Sequence, residues 1–157
     1  MSHLLLAQWK AMTSNEEDFM IKSSQLPAFF MQTLDDISWA GFYWMKKKSL
    51  ITGCYQGPVA CTRIDSHRGV CGKCFTTEEI QIIDDVNQFD DHIACDTNSN
   101  SEVVVPLRDG NHILGVFDID SYSLNRFDTD LSQEINLICE DFMKTTDLSI
   151  IKHWASL

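Results

Sequence analysis

The sequence predicts an α+β fold, an antiparallel sheet with helices on one face. Three observations carry that prediction. The aromatic-rich stretch Ile37 to Met45 is followed by a lysine turn and a second strand pattern, Leu50 to Gln56, so the two form a hairpin. The run opening at Glu102 is answered by His112 to Asp120 across Asp109-Gly110, a dipeptide that favours tight hairpin turns. Helical patterns precede the first hairpin and follow the second. With 157 residues, 44% of them apolar, the chain has the size and core of one domain.

Residues 3 to 12, with Leu4, Leu5, Ala7, Trp9 and Met12, read as a short amphipathic helix that covers the core or contacts a partner. A homodimer through these N-terminal helices is consistent with that pattern. A second helix is expected from near Asn15, capped by Ser14 or Asn15, with Glu16, Glu17 and Asp18 in its first turn. Its apolar face is Phe19, Met20, Leu26, Phe29, Phe30 and Leu34, and Pro27 should break it into two pieces. After the first hairpin, whose Lys46 to Ser49 tip reads as solvated, Gly57-Pro58 stops the strand. Pro58 to Gly72 reads as a long loop ending in a helix start near Arg68 to Gly72, Lys73 to Glu79 as a short helix, Ile80 to Ile83 as a short strand and Asp84 to Asp91 as an acidic loop. Asp128 should cap the last helix, Asp130 to Lys144, whose apolar positions include Leu131, Ile135, Leu137, Ile138 and Phe142.

Charge and composition narrow the function. The formal net charge of -11 repels phosphate backbones, so no nucleic-acid partner is expected. No apolar run is long enough to span a membrane, and no secretory leader pattern opens the chain, so a cytoplasmic setting is expected. There the six cysteines, Cys54, Cys61, Cys71, Cys74, Cys95 and Cys139, stay mostly reduced, and a disulfide would be transient or catalytic.

The segment His92 to Leu107 concentrates the chemistry. A polar loop carrying Cys95 leads into the β-branched run Val103 to Val105, so Cys95 is displayed on a loop anchored by a core strand. A free cysteine is often a small apolar filler, but Asp96, Thr97, Asn98, Ser99 and Asn100 do not make an apolar core. Cys71-Gly-Lys-Cys74 resembles a redox pair or half a zinc site, yet no second half accompanies it, so no metal is expected. Asp118 and Asp120 are two apart and share a face of their strand, and Glu102 opens the neighbouring one. Either they converge beside the cysteine, in which case mutual repulsion keeps one protonated as a general acid, or they end a strand in solvent.

Five motifs go further. Gly57-Pro-Val-Ala-Cys61, Arg68-Gly-Val-Cys71-Gly72, His92-Ile-Ala-Cys95-Asp96, Ser99-Asn-Ser-Glu102-Val-Val-Val-Pro-Leu107 and Leu114-Gly-Val-Phe-Asp118-Ile-Asp120-Ser121 closely resemble the free methionine-R-sulfoxide reductases, which are single GAF domains. The resemblance covers about Ile37 to Phe142 and implies one GAF domain over residues 1–157, with an N-terminal helical segment. It implies that Cys95 is the catalytic cysteine and that Cys61 and Cys71 recycle it. It casts Glu102, Asp118 and Asp120 as the carboxylates that protonate the sulfoxide oxygen or hold the substrate ammonium. It makes Trp39 and Tyr43 the aromatic wall at the methyl-sulfur end, and it puts the substrate carboxylate on backbone amides around Cys95 and Asp96. Lys73-Cys74 departs from the family pattern and adds a thiol beside Cys71.

The implied chemistry is coherent. A sulfoxide is a poor electrophile until its oxygen is protonated, so an acid must stand beside the thiol. Acidic neighbours raise a thiol pKa, so attack by Cys95 is expected to be coupled to proton transfer. Oxygen transfer leaves a cysteine sulfenic acid, which condenses with a nearby thiol. An external dithiol such as thioredoxin then reduces the disulfide, with no bound cofactor. The competing class is a GAF domain that senses a cyclic nucleotide or redox state without turnover. A carboxylate cluster disfavours phosphate, and a chain of this length leaves little room for an output domain.

Overall fold

The computed structural model describes residues 3–157. Helices α1 (Leu4–Met12) and α2 (Phe19–Thr33) are followed by strands β1 (Trp39–Lys46), β2 (Ser49–Gln56) and β3 (Arg63–Asp65). Then come α3 (Gly69–Thr77), β4 (Gln81–Ile83), a single 3-10 turn (Val86–Gln88), β5 (Ser101–Asp109) and β6 (His112–Ser121). Helices α4 (Thr129–Thr145) and α5 (Ser149–Ser156) close the chain. The six strands make one antiparallel sheet in the order β3-β2-β1-β6-β5-β4. Among the described residues no helix is long and apolar enough to cross a membrane.

The two hairpins put β1 and β6 side by side at the centre. Their register pairs Trp39 with Asp120, Gly41 with Asp118 and Tyr43 with Val116. Because side chains alternate, these residues share one face, while Ala40, Phe42 and Trp44 share the other with Phe117 and Ile119. The second face carries the main core. Phe42 meets Phe117 edge-on at 4.7 Å and Phe142 of α4 at 5.0 Å, and Phe30 of α2 lies 5.4 Å from Phe117. Where β1 and β6 cross, Gly115 is required by space: a Cβ there would lie 2.2 Å from the Tyr43 carbonyl oxygen. Helix α1 covers its own chain. Trp9 is fully buried, and Glu134 of α4 accepts from the free amides of Leu5 and Leu6.

Several expectations are corrected. Helix α2 starts at Phe19 rather than near Asn15, because Asn15 is left-handed at φ +63°. The cap is Asp18, which accepts from the Ile21 amide, rather than Ser14 or Asn15. Pro27 does not break α2. An interior proline costs about 3 kcal/mol, and burial of Leu26, Phe29 and Phe30, each a side chain of about 1.5–3 kcal/mol, offsets it. Helices flank both faces rather than one: α3, which begins at Gly69 within the expected Arg68 to Gly72 start, packs Val70, Cys71 and Cys74 against Tyr43, Val104 and Val116 on the face opposite the main core. The Pro58 to Gly72 loop also contains β3, which buries only Ile64, and α5 adds a second closing helix beyond α4. The rest of the α3 face is the mouth of a pocket.

Candidate active site

The pocket lies between β1, β5 and β6, at the positions of Trp39, Glu102 and Asp120, and two covering segments, residues 58–71 and residues 92–99. Its floor is acidic. Glu102 pairs with Asp120 across β5 and β6, and Asp118 sits one alternation further along. Oxygens of Glu102, Asp118 and Asp120 lie within 4.8 Å of one another, close enough to surround a single cationic centre. Glu102 and Asp118 are buried and Asp120 partly so, which excludes the alternative that these residues end a strand in solvent.

Burial pushes all three carboxyls well above the ordinary carboxylate range, and each is pushed further by its neighbours. The floor therefore holds protons at pH values where exposed carboxylates are ionised. Asp118 Oδ1 has no hydrogen-bond partner among the described residues. An unpaired buried carboxyl oxygen is costly and marks a place where a ligand donor fits. The Cys71 thiol, also buried, lies 3.6 Å from Asp118 Oδ2, and burial followed by the Asp118 charge raises it well above the usual thiol range.

Cys61 and Cys95 are joined by a disulfide with Cα atoms 5.3 Å apart. It staples the segment entering β3 to the loop entering β5 across the pocket mouth. Both cysteines are half-buried, so the bond is in reach of solvent. Cys71 takes no part in it, and Cys74 points away, its thiol 3.6 Å from the Val104 carbonyl. Cys61 is held from behind: the Tyr43 and Thr52 hydroxyls both donate to its carbonyl, at 3.1 Å and 2.5 Å. Burial raises the Tyr43 phenol, which keeps it a proton donor. Trp39 stacks on Tyr43 at 5.8 Å and on Tyr55 at 5.2 Å, so an aromatic wall stands beside the carboxyls. Such a wall next to an acidic floor suits an organic ammonium with an apolar tail.

Asp96 lines the pocket, but both of its oxygens serve the loop. One accepts from the Asn98 amide at 2.9 Å and the other from the Tyr122 hydroxyl at 3.0 Å. It holds the Cys95 loop in shape. Two pocket residues carried no role in the sequence reading. Arg68 grips Asp91 through two nitrogens, and Asp91 also accepts from the Gly69 amide at 3.0 Å, which clips the Cys95 loop to the start of α3. His92 places Nε2 3.5 Å from Glu102 Oε1. Its signal in the sequence was a titratable ring on a polar loop three residues before the cysteine.

Comparison with known proteins agrees with this geometry. Residues 28–143 match the GAF domain model. The chain is 41% identical over 142 residues to the free methionine-R-sulfoxide reductase of Escherichia coli, covering 88% of this chain and 86% of that protein. It is 48% identical over 98 residues to the enzyme of the same name from Saccharomyces cerevisiae, covering 59% of this chain and 54% of that one. Among solved structures, fRMsr of Staphylococcus aureus in its reduced form superposes with a TM-score of 0.86 at 37% identity, over 90% of this chain and 92% of that one. The free methionine-R-sulfoxide reductase of Neisseria meningitidis in complex with its substrate gives 0.83 at 32% identity, over 90% and 87%. The chain belongs to the GAF-domain family and, within it, to the free methionine-R-sulfoxide reductases.

Proposed function

We propose that this protein reduces free L-methionine (R)-S-oxide to methionine by thiol chemistry at Cys95. The observation that carries the proposal is the Cys61–Cys95 disulfide at the mouth of a pocket floored by three proton-retaining carboxyls. In the reduced protein the floor protonates the sulfoxide oxygen and Cys95 attacks the sulfoxide sulfur. Oxygen passes to the Cys95 sulfur, two electrons pass to the methionine sulfur, and methionine leaves. Cys61 then attacks the Cys95 sulfenic acid, forming the disulfide and releasing water. An external dithiol of the thioredoxin type takes on the disulfide and restores both thiols, so no resident cofactor or metal is needed. Trp39 and Tyr43 wall the methyl-sulfur end, and backbone amides near Cys95 and Asp96 receive the substrate carboxylate. Cys71, buried against Asp118, tunes the acid floor in this scheme rather than closing the disulfide. The reading places the protein in a reducing, cytoplasmic compartment.

The direct test is turnover of the separated R and S epimers of free methionine sulfoxide with a thioredoxin system. The R epimer should be consumed and the S epimer left. No consumption of either would overturn the reductase reading.

Removing the acid should uncouple activity from stability. Asp118→Asn and Glu102→Gln remove a positioned acid and should lower kcat/KM by at least about a hundredfold. They should also be more stable than wild type at neutral pH. A carboxyl raised on folding favours the native state fully below its unfolded pKa of about 4, and that advantage is lost as pH rises through the folded pKa. Wild-type stability should therefore fall from mildly acidic towards alkaline pH, and each variant should flatten that decline. Denaturant midpoints across pH, measured beside the kinetics, check both halves. Unchanged kinetics in both variants would mean that the acid lies elsewhere.

A further inference from the structure

Each turnover asks the buried floor to give up a proton to the sulfoxide oxygen, while the Cys95 thiol must lose one to attack. Atoms balance as Cys95–SH plus sulfoxide giving Cys95–SOH plus methionine, so the proton leaving the thiol must replace the one the floor has donated. Glu102 and Asp118 are buried, and two of the groups against the floor offer that proton no route. Cys71 is 5% exposed and Tyr43 2% exposed, and burial raises both. Asp96 has both oxygens engaged in its own loop. The Arg68–Asp91 ion pair stands on the surface at the other end of the loop and is closed on itself.

His92 is placed differently. Its Nε2 lies 3.5 Å from Glu102 Oε1, its side chain is 19% exposed where that of Glu102 is 6%, and it lines the same pocket as Cys95. Its amide donates to the Phe89 carbonyl at 3.2 Å, which fixes where the ring leaves the chain. The charged groups facing this edge of the pocket are Glu102 on β5, then Asp118 and Asp120 on β6, with Arg68 and Asp91 beyond. A neutral imidazole accepts a proton on one nitrogen and donates from the other.

We infer that His92 relays the proton released by the Cys95 thiol back to the carboxyl floor, passing it through Glu102 during the reduction step. The inference rests on the reductase reading above. His92 is a positioning and relay residue acting through Glu102, not the acid that meets the sulfoxide. Burial lowers its pKa, which keeps the ring neutral and able to shuttle near neutral pH. The 3.5 Å separation closes to a hydrogen bond with a small ring rotation, as contacts of this kind often do when substrate binds.

The test is single-turnover methionine formation by reduced wild type, His92→Asn and His92→Gln, followed across pH. Both variants keep a polar group in place but cannot take up and release a proton. The rate should fall about tenfold to a hundredfold with little change in the substrate concentration for half-saturation. The ionisation of the relay should leave the pH profile, and added imidazole should restore part of the rate. In a Glu102→Gln background, His92→Asn should add no further loss, because the two act in series. Losses that multiply in the double variant, or His92 variants with the wild-type pH profile and no imidazole rescue, would overturn the relay while wild-type turnover leaves the reductase reading standing. An inert wild-type protein would overturn both.

Discussion

Cys95→Ser should show no multiple turnover on free methionine R-sulfoxide with any dithiol. A serine hydroxyl is a far weaker nucleophile than a thiolate, and it cannot take up the sulfoxide oxygen as a reducible sulfenic acid. The loss should also appear in a single turnover, because the nucleophile itself is gone. Cys61→Ser should behave differently. It should release about one methionine per protein and then stall with Cys95 oxidised, since the first step does not use Cys61. The fold gives no reason for Cys95→Ser to misfold: Cys95 is a half-buried loop residue whose scaffold, β5 and β6, is fastened independently by the main core. The disulfide spans a sequence separation of 34 residues, for which chain-entropy arguments give about 3–4 kcal/mol. The variant should therefore unfold at the midpoint of the reduced wild type, below that of the oxidised form. Peptide mapping after substrate treatment, with thermal melts of both redox forms, checks the set. Sustained turnover by Cys95→Ser would remove Cys95 from the chemistry.

Much of this site was legible because its chemistry rides on local periodicity. Asp118 and Asp120 share a face by strand alternation alone, and Asp109-Gly110 folds β6 back so that Glu102 stands opposite Asp120. The loop-before-strand setting of Cys95 follows from the switch between polar and β-branched residues. What stayed illegible depended on contacts distant in sequence. Nothing local distinguishes Cys61 from Cys71 as the partner of Cys95. The choice is made by the Tyr43 and Thr52 hydroxyls holding the Cys61 carbonyl, and by α3 turning Cys71 inward to Asp118. The same holds for Pro27, tolerated because α2 is pinned by buried aromatics. Strand β3 is only three residues long and buries one of them, too little to show a period. His92 was quoted within a motif, but its contact with Glu102 spans ten positions and a turn of the chain.

The substrate should be the free amino acid, with a kcat/KM about ten-thousandfold above that for a peptide carrying an internal methionine R-sulfoxide, the scale on which a site built for a polar group rejects an analogue lacking it. Three carboxyls within 4.8 Å of one another are more acid than one sulfoxide oxygen requires. The surplus has a use in a free amino acid, whose ammonium can take an ionised partner such as the orphaned Asp118 oxygen. Pairing one carboxylate with an ammonium also eases the repulsion that raises its neighbours, so substrate binding itself sets which carboxyl keeps the proton. A methionine inside a peptide has lost the ammonium and the carboxylate to amide bonds. It leaves the floor carboxyl protonated and unpaired, so the charge-assisted hydrogen bonding that favours the free amino acid is lost. Its flanking chain must also pass the covering segments, which the Arg68–Asp91 clip and the packing of Ile93 against the Val70 and Cys71 cluster hold over the pocket. N-acetylmethionine R-sulfoxide separates the two causes. It removes the ammonium with little added bulk, so it should lose most of the efficiency that the peptide loses. Comparable efficiency on free and peptide-bound substrate would rule out the ammonium role and recast the protein as a repair enzyme for oxidised polypeptides.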